Sequence, residues 1–240
     1  MISIKKGFYH LSIYSKKVDI VDYFIMASYT SFLGNKPLFF KEHKGKTSIV
    51  NLQNDMDVIS KNMKSNYRNE IKKAISLNIN VEEEKDINQF ISYYNNFAIK
   101  RGLAPINSYN VTKYPHYIIY KALLEQTVLT YHVHIYDDDA KIVRLLFSAS
   151  NRLDETIDTK AIGYANKYLH FKEFEYFKDQ GLEKYDFAGV CDNPNDTAKY
   201  GIGLFKKGFG GDMIDTVSFD SPLMTIAIKL KSLLQRHGRD

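Results

Sequence analysis

The 240-residue sequence contains one cysteine, no tryptophan and five prolines. With Cys191 alone, no internal disulfide and no cysteine-rich metal site can form, which fits a reducing compartment. Long apolar runs are missing as well. The N-terminal MISIKKGFYHLSIYSKK has no apolar core of signal-peptide length. The stretch VDYFIMASYTSFLG carries Asp22 and is broken by polar residues within the ~20 positions a spanning helix needs. A cytoplasmic protein is expected. Nucleotide loops are absent too. GIGLFKKGFGG (201–211) sets its lysines before Gly208 with no Ser or Thr behind them, so it is not a P-loop. Lys206 fills the third glycine position of a dinucleotide fingerprint, and the segment reads as a helix running into a strand rather than the reverse.

What is present is the composition of a globular chain: 44% hydrophobic and 25% charged residues, with 18 Tyr and 15 Phe. A net charge of +5 suits an anionic partner such as a phosphorylated substrate, but is too modest to establish nucleic-acid binding. No repeat or low-complexity tract is visible.

Residues 1–54 form an N-terminal extension rich in short aromatic runs, and KPLFFKEHKGKTSIVNL reads as two short strands around a Lys-Gly turn. Residues 55–240 form the main domain. From Asp55, Met56, Ile59, Met63, Tyr67, Ile71 and Ile75 recur at helical spacing, predicting one helix. INVEEEK predicts a strand, and DINQFISYYNNFAIKRG a helix opened by Asp86 and closed by Gly102. YPHYIIYKALLEQ reads as a helix with Pro115 in its first turn. VLTYHVHIYDDDAKIVRLLFSAS predicts a hairpin around an acidic turn. A long helix from about Thr159 to Gln180 ends at Gly181. The strand KYDFAGV, an irregular helix, the strand DMIDTVSF and a closing amphipathic helix complete the chain. In that last helix Leu223, Ile226, Leu230, Leu233 and Leu234 are expected to dock on the domain, with Lys229, Lys231, Arg236 and Arg239 outside. Peripheral membrane contact is the alternative for it. The order implies an α+β fold around a mixed, largely antiparallel sheet flanked by helices.

NYRNEIKKA (66–74), ANKYLHFKEFEYFKDQGLEKYDFAGV (165–190) and GIGLFKKGFGG with the strand behind it, in this order, resemble the GNAT acyltransferase superfamily in its peptidoglycan-bridge, FemABX-like branch. The resemblance spans about residues 55–220. It implies a GNAT-like fold and an N-acyltransferase that moves an acyl or aminoacyl group to an amine of an amino-sugar or muropeptide precursor. The donor would be acyl-CoA or aminoacyl-tRNA, and the acceptor a small-molecule, nucleotide-linked or lipid-linked amine. Two departures stand out. Larger relatives carry two such domains, and SNRLDETIDTKAIGYANK offers only Gly163 where GNAT enzymes carry a glycine-rich coenzyme A loop. A GNAT-fold binding module without catalysis is the alternative function.

The resemblance places Lys206 at the active site, where a cation would stabilise charge developing on a carbonyl oxygen. The competing role for Lys206 and Lys207 is a favourable interaction with a helix C-terminus. Phe205 would anchor the turn, and Gly208 and Gly210 would let the backbone reverse. Asp186 on the YDFAGV strand is a candidate to take the amine proton or to orient substrate, or simply to bond backbone, while Tyr185 on the opposite face and Phe205 are candidates for substrate binding. His134 shares a strand face with His132 and is a candidate base. A metal would need further ligands, so none is expected. Arg68 and Lys72 lie on a basic helix face beside the implied acceptor site. Arg144 interrupts an apolar strand, where a cation without a partner is costly, and is a candidate anion ligand.

Overall fold

The computed structural model describes residues 1–152, 154 and 156–237, apart from the side chains of 235–237. Arg236 and Arg239, expected on the outer face of the last helix, lie outside that description. In chain order the first elements are β1 (Ile2–Lys6), β2 (Tyr9–Ile13), a 3-10 turn (Ile20–Tyr23), β3 (Met26–Thr30) and β4 (Lys41–Asn51). Then come α1 (Met56–Asn62), α2 (Ser65–Ser76), β5 (Asn80–Glu83), α3 (Ile87–Lys100), α4 (Tyr109–Thr112), β6 (Tyr117–Leu124), β7 (Thr127–Asp137) and β8 (Ile142–Ser150). The chain closes with α5 (Thr159–Asp179), β9 (Lys184–Gly189), α6 (Thr197–Lys207), β10 (Asp212–Asp220) and α7 (Pro222–His237). These elements group into two compact units, residues 1–46 with 214–240 and residues 47–213.

In the first unit β2 pairs with β1 antiparallel and with β3 parallel, and β3 pairs with the end of β10. Ala27, Tyr29, Phe32, Phe40 and Phe219 form its core. The apolar stripe of α7 does not dock as expected: Leu223, Ile226, Leu230, Leu233 and Leu234 are all exposed.

The second unit is a six-stranded sheet in the order β4-β9-β8-β7-β6-β5, antiparallel throughout except between β8 and β9. The expected α+β plan is thus what the chain adopts. Ile59, Met63, Tyr67, Ile71 and Ala74 of the α1–α2 region pack with Ile162, Leu169, Phe174 and Phe177 of α5 over Val143, Tyr185 and Phe187. Full burial of such side chains is worth about 1.5–3 kcal/mol each. Phe90 of α3 closes a smaller cluster with Val111, Ile119, Tyr131 and Val133. The expected start of α3 and the expected stops of α3 and α5 are present, with Asp86 capping α3 and Gly102 and Gly181 at positive φ; Asp158 adds a cap to α5.

Three expectations are corrected. Residues 117–124, read as a helix, are strand β6, paired on one side with β5 and on the other with β7. Its Tyr-Ile-Ile-Tyr start favours strand, and two flanking ladders decide the matter. Residues 41–51 form one strand rather than two around a turn. Gly45 runs through it, and a Cβ there would lie 3.3 Å from the Thr216 hydroxyl. The single helix expected after Asp55 is two, because Met63 and Lys64 are extended. There the Lys64 amide donates to the Gly208 carbonyl at 2.9 Å, an acceptor 144 residues away.

Candidate active site

The sheet opens where β8 and β9 part. Their parallel ladder covers only Ile142–Lys184, Val143–Tyr185 and Arg144–Asp186. Beyond it β8 continues alongside β7 to Ser150, whereas β9 stays with β4 as far as Gly189. A wedge between diverging parallel strands exposes backbone amides and carbonyls at strand C-termini, the usual ligand position in such sheets. Strand β9 bulges at this point. Thr47 faces Gly189 and Ile49 faces Asp186, so Phe187 and Ala188 together oppose Ser48. Ala188 takes φ +59°, and its amide donates to Asp186 at 2.7 Å.

Asp186 sits at the apex, fully buried. Arg144 donates to one of its oxygens at 2.7 Å, and the Thr47 hydroxyl bonds the other. Three donors from three segments hold this carboxylate in one orientation, and Arg144 thereby gains a counter-charge for its place in an apolar strand. Lys206, in the last turn of α6, is half-buried and donates to the Gly189 carbonyl at 2.8 Å. Burial pushes its pKa down to about 8; Asp186 opposes this and Arg144 adds to it. An amine so placed is mostly cationic at neutral pH yet able to release its proton.

Glycine explains how α6 and its lysine reach the site. A Cβ on Gly203 would lie 2.4 Å from the Cys191 carbonyl, so only glycine lets the helix approach the chain leaving β9. Gly210 has φ +76°, and a Cβ there would meet the Asn62 carbonyl at 2.2 Å. Gly208 has ordinary backbone angles; its requirement is space, since a Cβ would strike the Tyr67 ring at 2.3 Å. Phe205 and Phe209 both pack on Tyr67, whose hydroxyl donates to the Phe205 carbonyl at 3.0 Å. Burial, with a contribution from Glu70, pushes that phenol up to about 12.

A second cationic group was not read from the sequence. Lys167 is buried within α5, paired with Glu70 at 2.7 Å and lying over the rings of Tyr67 and Phe205. Arg152 and Lys167 both come within about 4 Å of where a Gly163 side chain would begin, so the first turn of α5 is flanked by two cations. A lysine inside a helix carries no sequence signal of burial, and Thr47 is likewise an unremarkable strand residue until β9 is laid beside it.

The other candidates lie elsewhere. Arg68 donates to the carbonyls of Ser60, Lys61 and Met63, ending α1 against α2. Lys72 is exposed on α2. Tyr185 and His134 are fully buried on the sheet face beneath α5. There His132 bonds Glu173 at 2.7 Å and Asn166 at 3.1 Å, and the Tyr185 hydroxyl lies 2.8 Å from His134, 2.9 Å from His170 and 2.9 Å from Glu173. Burial pushes Glu173 up, but the imidazoles of His132 and His134 outweigh it and hold the carboxyl well below its usual range. Burial pulls His134 down against the opposing pull of Glu173, and drives His170 down to about 3.

His132, His134 and Glu173 bring ligand atoms within 4.8 Å of one another. The donor set nevertheless fits a hydrogen-bonded network. Nδ1 of His134 has no partner among the described residues, and a buried bare acceptor is cheaper than a buried orphan N–H. The proton therefore sits on Nε2, facing Tyr185 and Glu173, where a metal would need the lone pair. A cavity of about 360 Å³ lined by Glu82, Glu83, Tyr120, Tyr176, Asp179 and Gln180 lies at the opposite end of α5 from the wedge. Its acidic lining is wrong for a phosphorylated ligand.

No protein-family profile and no curated protein matches the chain. Solved structures do. The crystal structure of FemX aligns with a TM-score of 0.69 at 14% identity, over 95% of this chain and 85% of that one. The C-terminal DUF2156 domain of an Agrobacterium fabrum protein assigned as a lysylphosphatidylglycerol synthetase aligns at 0.60 and 9% identity, over 97% and 84%. L-PGS from Bacillus licheniformis aligns at 0.57 and 10% identity, over 92% and 80%. At such identities the likeness shows a FemX-like, GNAT-like fold.

Proposed function

We propose that the chain is an aminoacyl- or acyltransferase that forms an amide on an amine of a cell-envelope precursor, with chemistry in the wedge between β8 and β9. The observation that carries this reading is Lys206, half-buried at the wedge beside the Arg144–Asp186 pair with its pKa brought to about 8. A neutral acceptor amine attacks the activated acyl carbon, and the C–N bond forms as charge moves onto the carbonyl oxygen. The Lys206 ammonium stabilises that oxyanion. Collapse of the tetrahedral intermediate expels the donor's leaving oxygen or sulfur, which takes the proton lost by the amine. Asp186 fixes Arg144 and the local field. Its three donors make it a positioning residue rather than the base.

The likeness to FemX and to a lysylphosphatidylglycerol synthetase favours an aminoacyl donor, hence aminoacyl-tRNA, with an amino-sugar or muropeptide amine as acceptor. Gly163 points the same way. It is the one glycine in SNRLDETIDTKAIGYANK, where GNAT enzymes carry a glycine-rich coenzyme A loop, and this weakens the case for acyl-CoA. The test is product mass spectrometry after incubation with aminoacyl-tRNA or acetyl-CoA and each acceptor class. Amide formation lost in Lys206→Met is expected. Tight acceptor binding without any transfer would instead identify a non-catalytic binding module.

A further inference from the structure

The first unit presents its apolar residues the wrong way round for a water-facing surface. Its 3-10 turn buries Asp22 and exposes Ile20, Val21 and Phe24, the last 72% accessible. The buried acid is the tether: Asp22 accepts from His10 at 2.7 Å and from the Tyr29 hydroxyl. A short turn normally buries its hydrophobes and hydrates its acid. Phe39 repeats the inversion. It holds φ +64°, a strained conformation for an aromatic residue, and its side chain is 84% exposed. Leu38 beside it and Phe8 in the β1–β2 turn are 73% and 78% exposed.

These side chains belong to one locale. The Phe8 carbonyl accepts from the Met26 amide at 2.9 Å, two residues beyond Phe24. The ring of Phe40, next to Phe39, packs edge-on against Tyr23 of the turn at 5.0 Å. Three loops, tied to one another, hold six large apolar side chains toward water, far beyond the scattered exposure of an ordinary surface.

Charge identifies what covers them. Residues 1–46 and 214–240 hold 12 Lys and Arg against 6 Asp and Glu, whereas residues 47–213 hold 21 against 22. The whole positive excess of the chain lies in the first unit. Several of that unit's acids are engaged internally as well. Asp19 pairs with Lys5 at 2.8 Å, Glu42 with Lys36 at 3.0 Å, and Asp220 with His43 at 2.9 Å. A second copy of the unit would bring like charge against like.

From this combination we infer that the loops carrying Phe8, Phe24 and Phe39 seat the protein on an anionic lipid surface. The apolar side chains enter the headgroup–acyl boundary, and exposed lysines adjoining the loops, Lys6 before Phe8 and Lys41 after Phe39, meet the lipid phosphates. An RNA would meet the same positive charge, but Ile20, Val21 and Leu38 offer no ring for a base to stack on. The inference is independent of the transfer chemistry.

Sedimentation with vesicles of phosphatidylglycerol and phosphatidylcholine, against phosphatidylcholine alone, tests it. The full chain is expected to bind the anionic vesicles at physiological salt and to leave the neutral ones largely unbound. Phe24→Ser with Phe39→Ser should weaken that binding at least about tenfold, with an unchanged or raised melting temperature because strain at residue 39 is not increased. Lys6→Glu with Lys41→Glu should weaken it through charge alone and flatten its dependence on salt. No binding of the wild type to anionic vesicles, or equal binding by the Phe24/Phe39 variant, overturns the inference. So does light scattering that shows a wild-type dimer made monomeric by those substitutions, or a loss confined to tRNA binding.

Discussion

Lys206 unites a hydrogen bond to Gly189, partial burial and two charged neighbours, and each makes a different demand on its proton. If the ammonium stabilises the oxyanion, kcat/KM should fall above pH about 8, where the folded protein loses that charge. Lys206→Arg should move this alkaline limb upward, since guanidinium keeps its proton throughout. Lys206→Met should lower kcat about 10²- to 10³-fold with Tm nearly unchanged. A pH profile identical in the Arg variant would reduce the lysine to a strut for β9. On the buried face Glu173 is the shared acceptor for His132, His170 and Tyr185. Glu173→Ala strands several donors at once and should cost roughly 3–5 kcal/mol in urea unfolding. Its effect on kcat, measured at a temperature where the variant is folded, should be small because the cluster lies beneath α5 and away from the wedge.

At the scale of elements, the turn from α6 into β10 is shaped by collisions that glycine avoids. Gly210→Ala adds a Cβ at positive φ against the Asn62 carbonyl and should cost about 1–3 kcal/mol. Gly201→Ala, inside α6 with nothing within 4 Å of the new carbon, should instead stabilise by about 0.5–1 kcal/mol. Chemical denaturation of the two variants separates a spatial need for glycine from mere glycine richness. The break between α1 and α2 obeys the same logic. It is fixed by the Gly208 carbonyl and by Arg68 on the α1 carbonyls, so the basic helix face read from the sequence is partly a structural cap.

For the whole molecule, the buried histidines make acid the natural denaturant. Burial depresses His134 and takes His170 to about 3, so unfolded chains bind protons first as pH falls below 6.5. Stability should therefore decline from pH 6.5 toward 3, and the depressed Glu173 adds loss in the same direction below 4.5. His170→Leu should flatten the decline by up to one proton, about 1.4 kcal/mol per pH unit, in melts across that window. An unaltered slope would mean that His170 is protonated in the native state. No described helix is long and apolar enough to cross a membrane.

Periodicity and capping are local, and they alone determined most helices and strands. The long helix ended by Gly181, the hairpin of β7 and β8, and the short β9 with Asp186 opposite Tyr185 are all legible from spacing and terminal residues. Local pattern failed where a distant partner holds the deciding bond. Two ladders made 117–124 a strand, and the Gly208 carbonyl split the first helix. The site follows the same division. Arg144 was visible as a charge in an apolar strand and Lys206 through the family resemblance, but only the fold put Arg144 on Asp186 and Lys206 on Gly189, and buried Lys167 beside Glu70. Only the fold supplied Glu173 and His170 to the His132–His134 pair, because residues on a strand and a helix some 40 positions apart meet through packing and leave no spacing to read.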